Sequence, residues 1–153
     1  MITAGQYLHV VTRALTGMAA IVEQLGDDLA NTRLALPGAN TPYAVLNHCL
    51  GATAYWAGEV VSGRAAHRDR DAEFTAAGPV APLLGRVRKT VRQLEKDVIR
   101  ADPHAPVSAA PAGLGDPPDA GGALLHLCAD LVQHHGQLEI LRDVLLAQTR
   151  IPA

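Results

Sequence analysis

Four stretches of this chain space their apolar residues alternately three and four apart, a period that fits one face of an α-helix and not the two-residue period of a strand. The first is Leu8, Val11, Leu15, Met18, Val22 and Leu25, with Gly26 as a stop residue. The second opens at Thr41-Pro42, a capping side chain followed by proline at the first helical position. It carries Val45, Cys49, Ala52, Trp56 and Val60, with His48 on the shoulder of the stripe. The third follows Gly78-Pro79 and reads Val80, Leu84, Val87, Val91, Leu94 and Val98; Arg86, Arg88, Lys89, Arg92, Glu95 and Lys96 form its outer face. The fourth runs from about Ala123 to Gln148 through Leu127, Leu131, His134, Leu138, Leu141 and Leu145. Each stripe can leave water only against the others. The expected architecture is therefore all-α, an antiparallel four-helix bundle forming a single domain over residues 1–153.

Composition agrees with helices. Hydrophobic residues make up 48% and aromatics only 3%, so the core is built from Ala, Leu and Val, which suit close-packed helices better than a β-sandwich. A net charge of −2 gives no electrostatic reason to expect nucleic-acid or anionic-membrane binding. Cys49 and Cys128 make no disulfide framework, and reduced thiols in a cytoplasmic setting are the simplest expectation. Arg13 interrupts the N-terminal apolar run that a signal peptide would need, and no window is long and apolar enough to span a bilayer.

The connections are long. Asp27 to Asn40 joins the first two helices; Ser62 to Gly78 joins the next two, and its Arg68-Asp69-Arg70-Asp71-Ala72-Glu73-Phe74 stretch can add a short helical turn. Asp102 to Gly122 is rich in Pro, Gly and Ala and reads as an irregular loop.

The chemistry concentrates in the fourth helix. His134 occupies a slot where the stripe calls for an aliphatic residue, and Asp130 sits one turn before it on the same side. Burying a carboxylate and an imidazole together is costly unless they are paired or bind a metal. Residues four apart lie about 40° apart in azimuth and roughly 6 Å along the axis, so Asp130 and His134 can share one ion. His126 continues the row but lies roughly 12 Å from His134, too far for the same ion. His135 is about 100° round from His134 and should face away from it. A third ligand must come from another helix, and His48 is the inward-leaning histidine on offer. The candidate site is His48, Asp130 and His134, three protein ligands that leave positions open for water or substrate. His, His and carboxylate suit zinc, and also nickel or iron. Gly51, Ala52 and Ala54 leave room beside it for another helix or a cavity. An isolated Asp-x-x-x-His pair is, all the same, more often an intrahelical hydrogen bond than a metal site. Cys49 and Cys128 read as buried packing thiols, Tyr55 as a packing residue, and His126 as a core histidine or a partner of Asp130.

Two stretches resemble a known family. Asn47-His48-Cys49-Leu50-Gly51-Ala52-Thr53-Ala54-Tyr55-Trp56 resembles the second helix of the DinB-like (YfiT-like) metalloenzymes, and Asp130-Leu131-Val132-Gln133-His134-His135-Gly136-Gln137, continuing to Leu141-Arg142-Asp143, resembles their last-helix motif. The intervening Arg70-Asp71-Ala72-Glu73-Phe74, followed by Gly78, is similar to the N-terminal domain of mycothiol-dependent maleylpyruvate isomerase. The resemblance covers essentially the whole chain. It implies a metal triad at His48, Asp130 and His134, with aspartate where the mycothiol-associated branch usually has glutamate. It also implies mycothiol or a similar low-molecular-weight thiol as co-substrate, activated by a divalent metal for transfer to, or isomerisation of, a small electrophile. Arg142 would then contact an acidic group of a bound molecule, in competition with a salt bridge to Asp143 or Glu139. Metal-dependent hydrolysis without a thiol and a non-enzymatic dimerising bundle or sensor are the alternatives. A homodimer through small residues around Ala19-Ala20 or Ala57-Gly58 is compatible with the sequence.

Overall fold

The structure is a computed structural model that describes residues 2–107 and 119–149. It is an all-α bundle: α1 (Ala4–Ala30), α2 (Pro42–Thr53) continuing into a π-helical segment (Ala54–Val61), the short α3 (Arg70–Thr75), α4 (Val80–Arg100) and α5 (Ala120–Gln148).

The helix starts are set by local chemistry. Thr3 and Gln6 cap α1 reciprocally, each side chain accepting from the other's backbone N–H. Thr41 caps α2 ahead of Pro42, and Asp119 caps α5 through the Gly122 N–H. The start of α4 has no cap of its own. Asp27, at the far end of α1, accepts from the Val80 N–H at 2.8 Å and supplies one from across the bundle.

Two helices depart from the simple stripes. Helix α1 does not stop at Gly26; that residue takes φ 66°, kinks the chain, and a further turn runs to Ala30. Asn31 then donates to the carbonyls of Asp27 and Gly78, tying this end to the entry of α4. The second helix changes register after Thr53 into i→i+5 bonding, a wider turn that keeps Trp56, Ala57 and Val60 buried. Ala57 and Gly58, expected as an exposed small-residue face, are instead buried, and Arg64 lies directly over Gly58. At the start of α4 it is Leu83 that is fully buried, as Leu94 is further along, with Leu84 only partly covered.

Helix α2 is the centre of the molecule, with all but Gly51 of its residues buried. Both α1 and α2 pack on α4 and on α5, while α4 and α5 lie on opposite sides and do not meet among the described residues. Contacts fix the directions. Tyr7 near the start of α1 bonds Leu124 near the start of α5, so these two run parallel. His48 faces Asp130 and Trp56 faces His126, so α2 runs antiparallel to α5. Asn47 meets Arg86 and Arg64 meets Asp97, so α2 and α4 run parallel. The order is up, down, down, up, which the long excursion through α3 permits. Part of the last long connection, residues 108–118, lies outside the described residues.

Candidate metal centre

The antiparallel crossing of α2 and α5 brings His48 against the Asp130–His134 row. One ligand atom from each of the three lies within 4.8 Å of the others. His134 Nε2 is 3.4 Å from Asp130 Oδ1, and His48 Nε2 is 3.8 Å from Asp130 Oδ2. The two imidazole rings meet edge to face, centroids 5.0 Å apart. Donors bound tetrahedrally at 2.0–2.1 Å stand about 3.4 Å apart, so small side-chain rotations close this cluster on one ion.

The outer atoms orient the inner ones. His48 Nδ1 lies 2.9 Å from Glu73 Oε2, and His134 Nδ1 lies 2.8 Å from Gln137 Oε1. A neutral imidazole that donates from Nδ1 presents a lone pair at Nε2. With Nδ1 as the donor and the ring neutral, each imidazole would offer an Nε2 lone pair on the side of the same carboxylate, the arrangement a divalent ion requires. The donor set fits.

Charge follows the same geometry. Burial lowers the pKa of His48, although the hydrogen bond to Glu73 and the charge of Asp130 oppose this. The hydrogen bond to Asp130 raises that of His134 against the opposing effect of burial. Burial alone would raise Asp130, but the hydrogen bond and charge of His134, with the charge of His48, bring it below the usual carboxylate value. In the absence of metal these directions favour a protonated His134 paired with an ionised Asp130, beside a neutral His48.

Of the other residues singled out in the sequence, His135 turns away as expected and packs on Gly17 of α1. His126 packs against Trp56 with the rings tilted by 53° and centroids 4.5 Å apart, a packing role. Cys49 is buried and free, its thiol pushed well up by desolvation; Cys128 is half-buried, free and also raised by burial. Tyr55 packs edge to face on Trp56 and under the Arg68 guanidinium. Arg142 pairs with its neighbour Asp143 at 2.8 Å. It stands roughly 12 Å along the helix axis from His134, so only an extended ligand could touch both.

Sequence reasoning assigned no role to Glu73 or Arg68. Glu73 is buried, and Arg68 grips it with a two-pronged bond, Nε to Oε1 at 2.9 Å and Nη2 to Oε2 at 3.0 Å. Its backbone carbonyl accepts from Asn47, the residue before His48. Phe74 stacks on the His48 ring, centroids 4.2 Å apart. The available signal was Gly51 in α2, where an added Cβ would overlap the Glu73 carboxylate. A glycine one turn from His48 marks a close approach, but the sequence does not say by what.

Among comparisons with known proteins, no curated protein gives a significant match. A family model described as Mycothiol-S-transferase matches residues 6–146, a span that takes in all but the outermost residues of the four long helices and every residue of the donor cluster. The chain belongs to the mycothiol-S-transferase family.

Proposed function

We propose that this protein is a divalent-metal-dependent transferase or isomerase that joins mycothiol, or a similar low-molecular-weight thiol, to a small electrophile. The observation that carries this is the convergence of His48 Nε2, His134 Nε2 and the Asp130 carboxylate within 4.8 Å, with both Nδ1 atoms already engaged. Zinc suits two imidazoles and one carboxylate best, with nickel or iron as alternatives. When bound, a divalent cation acidifies a coordinated thiol so that the thiolate is available near neutral pH.

The chain's own groups do the rest. His48 and His134 serve as neutral donors, and Asp130 offsets one positive charge. Asp130 and His134 are the more open members, with side chains 24% and 21% exposed against 4% for His48, so small molecules reach the cluster from the α5 side. Arg142 would leave Asp143 to contact an acidic group at the far end of a large ligand; an exposed pair of this kind holds it weakly. The outer face of α5 exposes Leu125, Val132 and Ile140, which suit a second subunit of a homodimer. Free thiols fit a cytoplasmic location, and no helix among the described residues is long and apolar enough to cross a membrane.

The test is elemental mass spectrometry on protein purified without an affinity tag, wild type beside His48→Ala and Asp130→Ala. The expected result is about one equivalent of metal in wild type and little in either variant. It is followed by a thiol-dependent assay against electrophiles. Wild-type protein that takes up no stoichiometric metal after reconstitution overturns the reading; activity that needs no thiol points to hydrolysis instead.

A further inference from the structure

A neutral histidine has one ring proton, and His48 has a carboxylate on each side competing for it. Glu73 Oε2 lies 2.9 Å from Nδ1, a hydrogen-bond distance; Asp130 Oδ2 lies 3.8 Å from Nε2, which is beyond one. The proton therefore belongs on Nδ1. If Glu73 could not accept it, Asp130 would be the carboxylate left in reach, and it would draw the proton to Nε2, the atom the metal site needs as a donor.

We propose that Glu73 is a positioning residue for the metal site, holding the Nδ1 proton on His48 so that the Nε2 lone pair faces Asp130 and His134. Three further features are built around this contact. Arg68 fixes both carboxylate oxygens and compensates the charge of a side chain that is buried. Gly51 supplies the space, since any Cβ there would meet the carboxylate. Phe74, the residue after Glu73, stacks flat on the His48 ring and sets its plane. Arg68 Nη2 also lies 3.4 Å from Nδ1, but it is a donor at the outer limit of bonding, whereas Glu73 Oε2 is an acceptor at 2.9 Å. The loop before α3 and α3 itself thus deliver acceptor, counter-charge and stacking ring to one face of His48. His134 has only a neutral amide in the equivalent place. A carboxylate makes the ring it binds more basic than a neutral amide does, so Glu73 offsets part of the effect of burial on His48.

The consequence for metal rests on the function proposed above; the tautomer belongs to the metal-free protein and can be read without it. The experiment compares R68A/E73Q with R68A/E73M. Removing the pair together leaves neither charge buried alone, and the two variants differ in whether position 73 can accept a hydrogen bond. Long-range ¹H–¹⁵N NMR of the metal-free proteins at mildly alkaline pH reports the His48 tautomer, and competition with a chelator reports the affinity for Zn²⁺. Wild type and R68A/E73Q should show the Nδ1–H form. R68A/E73M should shift toward Nε2–H and bind Zn²⁺ about 10–100-fold more weakly than R68A/E73Q. If the methionine variant does not fold, R68A/E73A makes the same comparison with a smaller side chain. The same tautomer in both variants, or equal Zn²⁺ affinity in both, overturns the proposal. If wild type itself binds no Zn²⁺, the metal-dependent function fails, and a tautomer that still shifts in R68A/E73M leaves only the hold of Glu73 on the Nδ1 proton.

Discussion

Replacing Gly51 with alanine tests the packing of the site directly, because two effects of opposite sign meet at this residue. In the interior of α2 the exchange should favour the helix by about 1 kcal/mol, since glycine is the more flexible residue in the unfolded chain. The structure sets a larger cost against this gain. A Cβ on Gly51 would overlap Glu73 Oε1 and stand 2.5 Å from Glu73 Cδ, so the carboxylate must move. Glu73 is not free to swing, because Arg68 and His48 hold both of its oxygens. Forcing extra volume into a packed site costs about 1–3 kcal/mol, and losing a hydrogen bond to a charged group costs about 1.5–3 kcal/mol. The net expectation is destabilisation by about 2 kcal/mol or more, a fall in Tm of about 4–8 °C for a domain of this size. Urea unfolding of metal-free protein measures it, with equal m-values confirming that the folded state is otherwise unchanged. Gly136→Ala is the internal control. It lies within α5 with no atom within 4 Å of its added Cβ, so it should gain up to about 1 kcal/mol. The reasoning is refuted if Gly51→Ala is as stable as wild type, or moves in the same direction as Gly136→Ala.

Metal binding should weaken as pH falls through the pKa of His134. The Asp130 hydrogen bond holds that pKa above the ordinary histidine value, and the proton must leave before Nε2 can act as a donor. His48, lowered by burial, is already neutral there. Calorimetry in buffers of different ionisation enthalpy should detect proton release on Zn²⁺ binding near neutral pH; the same affinity on both sides of neutrality would contradict it. In metal-free protein the His134 contribution to stability has the opposite trend: full below the unfolded histidine pKa, and lost as pH rises through the raised folded value. Asp130, lowered in the folded state, contributes above the unfolded carboxylate pKa and loses that as pH falls through the folded one. These two contributions should therefore be greatest together in the acidic window between the unfolded carboxylate and histidine values, as a urea series across pH would show. His48, lowered by burial, works against them as pH falls through the unfolded histidine value. Separately, Tyr7→Phe removes a buried hydroxyl that donates to the Leu124 carbonyl at 2.9 Å, and should cost about 1 kcal/mol in chemical denaturation while metal content stays unchanged. Metal lost along with stability would mean that the α1–α5 contact also positions Asp130.

The helices were legible in the sequence because their causes are local. A period of three and four residues and a Thr-Pro start act within a turn or two of the chain, so α1, α2, α4 and α5 could be placed before any contact was known, whereas the Asp119 cap that starts α5 at Ala120 went unread. The donor cluster was legible for a related reason. The i,i+4 spacing on α5 fixes two of its members, and α2 offers one histidine on the side that packs inward. Other features depend on which segments meet. The change to i→i+5 bonding after Thr53 is a register choice of the folded helix that no single residue type announces. Leu83 rather than Leu84 fills the core, and Asp97 goes inside to meet Arg64 and Gln93, because of how α4 is rotated against α1 and α2. The same holds for Glu73. It sits in a run of alternating charges, where nothing in the chain separates it from the exposed Asp71 two residues earlier. Only the docking of α3 against Gly51 selects Glu73 for the back of His48, because burial of a carboxylate depends on having its cation and its hydrogen-bond donor in place.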